Sequence, residues 1–197
     1  MGYADAGMSA RRTKPIINGV CIMELSGLGA PLDIEQIDFR VQSVTKNGYA
    51  IILAYKNARV DMDRLDKVVG RGKWQRKHEL IDGQLFCSVG IYNEDINQWI
   101  WVQDVGTESN TEKEKGRASD SFKRACFNLG IGRELYEYPF IMVKQTDAEK
   151  VDKYAFKLKE WKWYKEHDEK TGELTFIAAK DNHGKVRFQF GKMKSGS

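Results

Sequence analysis

Two β-rich runs in residues 37–55 constrain the start of the fold. Asn47-Gly48 lies between them, and Asn-Gly is the strongest short-range sequence signal for a β-hairpin. The second run, YAIILAY, is apolar throughout, which is typical of a strand in the centre of a sheet. The sequence therefore predicts an antiparallel hairpin here, with its second strand buried.

Three further strands are predicted in residues 73–107. Asp82-Gly83 provides the first turn and residues 93–97 provide the second. The runs FCSVGIY and WIWVQDV alternate apolar and polar side chains with period two, as expected for strands with one buried face. We interpret this segment as a three-stranded meander.

Two segments have the apolar spacing of helices. Residues 57–69 form the first, and Gly70 is the type of residue that ends a helix. Residues 112–136, EKEKGRASDSFKRACFNLGIGRELY, contain the second and longer helix. On a helical wheel its apolar stripe consists of Ala118, Phe122, Ala125, Cys126 and Leu129.

This order of elements predicts an α+β fold, in which two helices cover one face of an antiparallel sheet. The other face is then left to solvent or to a ligand. We expect a flexible tail at 1–15, a core domain at 16–145 and an appended element at 146–197. The appended element is predicted to contain a helix, in the charged and aromatic segment that follows residue 145, and then a short hairpin with turns at 170–172 and 181–184.

The net charge of +4 is small, but its distribution is uneven. Residues 56–77 contain eight basic and three acidic residues, whereas residues 78–103 contain four acidic residues and neither lysine nor arginine. Such a concentration of charge indicates either a local anionic partner or a solvated face with its own ion pairs.

The polar side of the long helix allows the same two interpretations. Arg117, Asp120 and Arg124 have the spacing of an ion-pair ladder, which is the interpretation that the helix taken alone favours. Alternatively, Lys123 and Arg124 project from a rigid element as phosphate ligands, and Phe127 packs on a neighbouring subunit.

The sequence contains few signs of an enzyme that makes or breaks covalent bonds. Its three cysteines are widely spaced, and it contains neither a phosphate-binding loop of the GxxxxGK[ST] type nor a GxSxG motif. A metal-dependent nuclease is the alternative class, with Asp104, Glu112 and Glu114 as candidate ligands in no ordered metal-binding pattern. No cofactor is expected, and the cytosol is the default compartment because no signal peptide is recognisable.

Several motifs in residues 38–138 resemble those of the single-strand annealing family, which includes the eukaryotic Rad fifty-two protein and phage annealases of the Sak type. They are DVG at 104–106, then EKEKG, SDSFKRA and GIGRELY, preceded by DRLD and the GRGKW segment. The likeness is greater to the phage branch, which implies a phage or prophage origin. It also implies a β-β-β-α core that assembles into a ring, with DNA bound in a basic groove and its bases exposed.

By motif position, the resemblance implies that Lys123, Arg124 and Arg59 contact the DNA backbone. Phe127 replaces a basic residue of the eukaryotic members, which puts a second, outer DNA site in question. The remaining basic residues expected along the groove are Lys73, Arg76, Lys77, Lys113, Lys115 and Arg133.

We therefore expect a protein without enzymatic activity that binds single-stranded DNA and anneals complementary strands without ATP, in recombination or repair. Trp74, Trp99 and Trp101 are candidates for stacking on bases, although strand aromatics more often pack in a core or an interface. Residues 146–197 are candidates for contact with DNA, a host single-strand-binding protein or a partner exonuclease.

Overall fold

The computed structural model describes most of the chain from residue 25 onward. Its backbone is described for residues 16–17, 20–21, 25–106, 113–151 and 156–193. Side chains are described over the same ranges, except at 16–17, 20–21 and 113–115. The predicted tail at 1–15 lies outside the described residues. Ile16–Ile17 (β1) and Val20–Cys21 (β2) form a short antiparallel ladder.

The predicted hairpin is confirmed. Ile37–Val44 (β3) pairs antiparallel with Tyr49–Lys56 (β4), and Gly48 in the turn has a φ of 75°, which glycine adopts without steric cost. β4 is central, as expected, because Ile141–Lys144 (β8) pairs with its other edge. With β8 the hairpin forms its own three-stranded sheet, separate from the meander, rather than the one sheet expected.

The first helix, Ala58–Val68 (α1), is bounded as the sequence predicts. The Oδ1 atom of Asn57 accepts a hydrogen bond from the Arg59 amide at 3.0 Å, which caps the N-terminus. At the other end, Gly70 adopts a φ of 101° and its amide donates to the Leu65 carbonyl at 3.2 Å.

The predicted three-stranded meander is also confirmed. Trp74–Ile81 (β5), Gln84–Asn93 (β6) and Gln98–Val105 (β7) are antiparallel, with β6 in the centre. The long helix, Lys113–Asn128 (α2), packs on one face of this sheet. Since side chains alternate along a strand, that face carries the odd-numbered residues of β6.

The apolar stripe predicted on α2 lies in this first core. Phe122, Ala125 and Cys126 are fully buried, together with Leu65 of α1, while Ala118 and Leu129 at the two ends of the stripe are partly buried. The β6 side chains that α2 covers are Cys87, Val89 and Ile91.

The helix predicted after residue 145 was largely wrong. The segment contains a short helix, Asp147–Val151 (α3), and then a strand, Lys162–His167 (β9). Leu174–Lys180 (β10) and Val186–Gly191 (β11) complete an antiparallel sheet, with turns in the two predicted places. The many lysines and glutamates favour a helix locally, but β9 pairs with β10, and the alternate side chains Trp163, Lys165 and His167 become partly buried.

A second core joins the C-terminal segment to the hairpin sheet. Its buried residues come from β4 and β8, from β10, and from the chain that precedes β9. They are Ala50, Ile52, Ile141, Val143, Phe156, Trp161, Ile177 and Ala179. The boundary between core domain and appended element therefore stays a prediction.

Candidate nucleic-acid interface

A close backbone contact fixes α2 against the end of β7. A Cβ atom on Gly106 would lie 2.4 Å from the carbonyl oxygen of Arg117 and 3.1 Å from the amide nitrogen of Ser121. Only glycine allows the helix to approach the strand end this closely. The glycine of the DVG motif therefore determines where the basic side chains of α2 are held.

Next to α2, a buried ion pair connects β4 to α1. Lys56 donates to Asp61, and the two residues are 2% and 0% exposed. Burial raises the pKa of Asp61 to about 6, against the attraction of the Lys56 and Lys123 ammonium groups, and burial lowers the pKa of Lys56. Lys56 belongs to the basic stretch of 56–77 in the sequence, but it is enclosed in the core and does not face a groove.

Lys123 lies beside this pair and is half-buried on α2. Its ammonium forms no ion pair with any residue in the described ranges. The helices α1 and α2 are in contact, and Lys123 of α2 interacts electrostatically with Asp61 in the first turns of α1. Arg59 belongs to the same end of α1 and its side chain is exposed.

Arg124 points to the other side of α2. Its Nε atom lies 3.2 Å from Oδ1 of Asp104 on β7, and its side chain is 37% exposed. A long-range ion pair therefore orients Arg124, and within the described ranges its other guanidinium nitrogens form no hydrogen bond. The structure separates Lys123 from Arg124: the first lies towards α1 and the second towards β7.

Phe127 makes its contacts within the chain. Its ring lies 4.7 Å from the ring of Tyr136, and Nζ of Lys56 lies 4.4 Å above it. Its predicted contact with a neighbouring subunit remains untested.

The basic residues of β5 are distributed over both faces of the meander. Arg76 faces α2, where its guanidinium lies 4.5 Å from the centroid of the Phe122 ring. Lys77 faces the opposite side, 5.5 Å from the Trp101 ring and 3.3 Å from Glu79. Lys73, just before β5, forms an exposed ion pair with Glu94 at 2.8 Å.

Arg133 closes the C-terminus of α2. Its guanidinium donates to the Phe127 carbonyl at 2.9 and 3.1 Å and to the Asn128 carbonyl at 3.0 Å. This gives Arg133 a structural role that the sequence did not indicate. The side chains of Lys113 and Lys115 lie outside the described residues.

Two other arginines of the basic stretch are also engaged within the protein. Arg64 donates to the carbonyls of Gly27, Ala30 and Pro31. Arg71 pairs with Asp66 at 3.0 Å. The stretch is therefore not a uniform basic surface, because carbonyl and carboxylate groups of the protein already bind part of its cations.

The three candidate tryptophans divide between the two faces of the meander. Trp74 packs under α2 next to Phe122 and donates from Nε1 to Asp66 at 2.8 Å. Trp99 and Trp101 lie on the face away from α2, with ring centroids 6.0 Å apart. The period-two alternation of WIWVQDV is the sequence pattern from which this shared face follows.

Among the residues described, no group of three or more His, Cys, Asp or Glu side chains is arranged to hold a metal ion. In the same part of the chain, no helix is both long and apolar enough to cross a membrane.

Comparison with known proteins places the chain in a family, although no protein-family model matches it. The single-stranded DNA-binding protein DdrA of Deinococcus deserti is 30% identical over 162 residues, which are 78% of this chain and 76% of that protein. The protein of the same name from Deinococcus radiodurans is 32% identical over 119 residues, which are 57% of this chain and 53% of that protein. The chain belongs to the DdrA family.

Proposed function

We propose that the protein binds single-stranded DNA through its phosphates and anneals complementary strands without ATP, in DNA recombination or repair. Its two Deinococcus relatives are named single-stranded DNA-binding proteins, which supports the binding step. The resemblance of residues 38–138 to the Rad fifty-two and Sak-type proteins supports annealing. That reaction breaks no covalent bond, so the proposal requires no catalytic group.

The observation that carries the proposal is the charge balance around Lys123. Inside the protein, the charges of Lys56 and Asp61 compensate each other. Lys123 is therefore a positive charge beside a pair that is neutral overall: Asp61 attracts it, Lys56 repels it, and no described carboxylate forms an ion pair with it. A phosphate group would compensate this charge, and lysine binds phosphate as a point charge.

Further cations provide a path for the DNA backbone away from Lys123. Arg59 is exposed at the start of α1, Arg124 retains donors beside Asp104, and Arg76 lies over Phe122 at the β5 side of α2. Lys73, Lys77, Lys113, Lys115 and Arg133 remain predicted contacts. Binding to phosphates is largely independent of sequence and decreases as salt increases, because the DNA releases counterions.

We further propose that copies of the chain assemble into a ring. β5 and β7 are the outer strands of the meander, and exposed edge strands pair readily with another chain. Pairing of β5 in one copy with β7 in the next is a head-to-tail contact, which generates a ring when the rotation closes. A ring also multiplies weak phosphate contacts through effective concentration. Particle images with and without single-stranded DNA test this assembly.

Fluorescence anisotropy with a labelled oligo(dT) tests the binding step. Lys123→Ala and Arg124→Ala are expected to lower the affinity. Each should also reduce the slope of log affinity against log salt by about 0.7, the contribution of one neutralised phosphate on a single strand. Lys46→Ala, which removes an exposed lysine from the β3–β4 turn, is the matched control and should change neither quantity. Unchanged binding by both α2 variants, in a protein that stays folded, would contradict the proposal.

Mixing labelled complementary strands without ATP, with and without Mg²⁺, tests the annealing step. Faster duplex formation with intact strands supports annealing. Shortened strands that appear only with Mg²⁺ would identify the nuclease alternative instead. Binding without faster duplex formation would leave a nucleic-acid-binding scaffold that does not anneal.

A further inference from the structure

The face of the meander that points away from α2 carries a cluster of aromatic rings. Tyr92 and Trp99 are adjacent across β6 and β7, with ring centroids 5.3 Å apart, and Trp101 follows at 6.0 Å from Trp99. Lys77 on β5 lies on the same face. We call this surface, defined by Tyr92, Trp99, Trp101 and Lys77, the tryptophan face.

Trp101 lies flat on the sheet because its cross-strand neighbour is Gly90. A Cβ atom at Gly90 would lie 2.9–3.0 Å from Cε3, Cζ3 and Cη2 of the indole, so any larger residue would displace the ring. One face of the indole therefore rests on the Gly90 backbone. Trp101 is nevertheless 42% exposed, which leaves its other face towards solvent.

The groups around these rings are polar. Nζ of Lys77 lies 5.5 Å from the centroid of the Trp101 ring. Gln103 and Ser88, on the same face, are joined by a hydrogen bond of 3.0 Å. The centre of a subunit interface is enriched in tyrosine and tryptophan but depleted of charges, whereas here the charged Lys77 lies beside Trp101. Lys77 also pairs with the partly exposed Glu79 at 3.3 Å, an ion pair that a phosphate can replace because both side chains are about half exposed. An exposed indole beside an ammonium and neutral polar groups matches the chemistry of an unpaired nucleotide, because the ring stacks on the base and the lysine attracts the phosphate.

We propose that the tryptophan face is a base-stacking subsite for single-stranded DNA, separate from the phosphate contacts beside α2. This inference rests on the proposed function and deepens it. The subsite lies on the opposite face of the meander from Lys123 and Arg124. Arg76 and Lys77 are adjacent on β5 and point to opposite faces, so this strand contributes one cation to each face of the meander.

Two labelled probes of equal length separate base stacking from phosphate binding. One is oligo(dT), and the other is an abasic oligomer with the same phosphates and no bases. Trp101→Ala is expected to weaken binding of oligo(dT) about tenfold, since it removes the stacking of one base, and to leave the abasic probe unaffected. Lys123→Ala should weaken both probes. Phe140→Ala, at another exposed aromatic residue, is the control and should change neither.

Photocrosslinking gives a second measurement that needs no variant. A 5-iodouracil oligomer irradiated with the wild-type protein should crosslink to Trp99 or Trp101, identified by mass spectrometry of the peptides.

Equal losses of affinity by Trp101→Ala for the two probes would overturn the stacking subsite. If Trp101→Ala changes the mass of the oligomer but not the difference in affinity between the two probes, the face forms contacts between copies. That result would also overturn the stacking subsite.

The outcomes distinguish this inference from the function on which it rests. If the wild-type protein binds neither probe, the proposed function fails and the subsite fails with it. If Lys123→Ala weakens both probes while Trp101→Ala and the crosslinks show no stacking, only the tryptophan-face proposal is wrong.

Discussion

Lys56 and Asp61 form an ion pair across the β4–α1 junction that is almost completely excluded from water. Removing one partner leaves an uncompensated charge in the core. We expect Lys56→Met to lower the free energy of unfolding by about 3–5 kcal/mol, measured by urea denaturation at pH 7. The double variant Lys56→Met with Asp61→Leu should recover most of this loss, because neither charge remains buried. A double variant as unstable as the single one would show that the shape of the new side chains, rather than the unpaired charge, determines the loss of stability.

The same carboxylate makes stability depend on pH. Burial raises the pKa of Asp61 from its usual 3.8 to about 6, so the folded state binds this proton more tightly than the unfolded state does. The resulting stabilisation is fully present below about pH 4 and is lost as the pH rises through about 6. Asp61→Asn lacks this titration. The free energy of unfolding of the wild type, relative to this variant, should therefore decrease between pH 4 and pH 7, and a constant difference would contradict the raised pKa.

Arg124 and Asp104 allow the structural and binding roles of a cation to be separated. Arg124→Ala and Asp104→Asn both break the same partly exposed ion pair, so each should cost at most about 1 kcal/mol of stability. Only Arg124→Ala removes the cation. We expect it to weaken oligo(dT) binding, whereas Asp104→Asn should maintain or increase the affinity in the anisotropy assay. Equal losses of affinity in the two variants would indicate that breaking the ion pair weakens DNA binding indirectly, by disturbing the fold.

The close approach of α2 to the end of β7 predicts a strong effect at Gly106. Gly106→Ala places a methyl group against the Arg117 carbonyl and the Ser121 amide, and these backbone atoms belong to a helix that cannot shift without disturbing the core. We expect a loss of about 1–3 kcal/mol in urea denaturation. Gly29→Ala is the matched control, since nothing lies within 4 Å of its added Cβ, and its stability should be close to that of the wild type.

Ile177 tests whether the C-terminal segment is a separate unit. The residue is fully buried in the core that β10 shares with β4 and β8. Ile177→Ala is expected to cost about 2–5 kcal/mol and to shift a single unfolding transition of the whole chain. Hydrogen exchange of β4 amides provides the local measurement and should become faster. A separate early transition, with β4 unaffected, would establish 146–197 as an independent appended element.

Local patterns predicted the elements whose own residues determine them. The Asn47-Gly48 turn, the capped α1 helix and the alternating strands of the meander form as expected, because turn geometry and side-chain periodicity act over a few residues. β9 was missed for the opposite reason. Its charged residues favour a helix locally, and only pairing with β10, seven residues further along the chain, makes the strand the better state.

The sequence by itself determined the α+β class, the buried stripe of α2 and the set of basic residues from which a DNA-binding surface can be built. The tertiary structure decided which of those cations remain available. Lys56 is enclosed with Asp61, and Arg64 donates to carbonyls 33–37 residues away, whereas Lys123 has no ion-pair partner among the described residues. The reason is physical: the availability of a charge depends on burial and on partners that only folding brings near, whether they lie five residues away, as Asp61 does from Lys56, or more than thirty, as the carbonyls bound by Arg64 do.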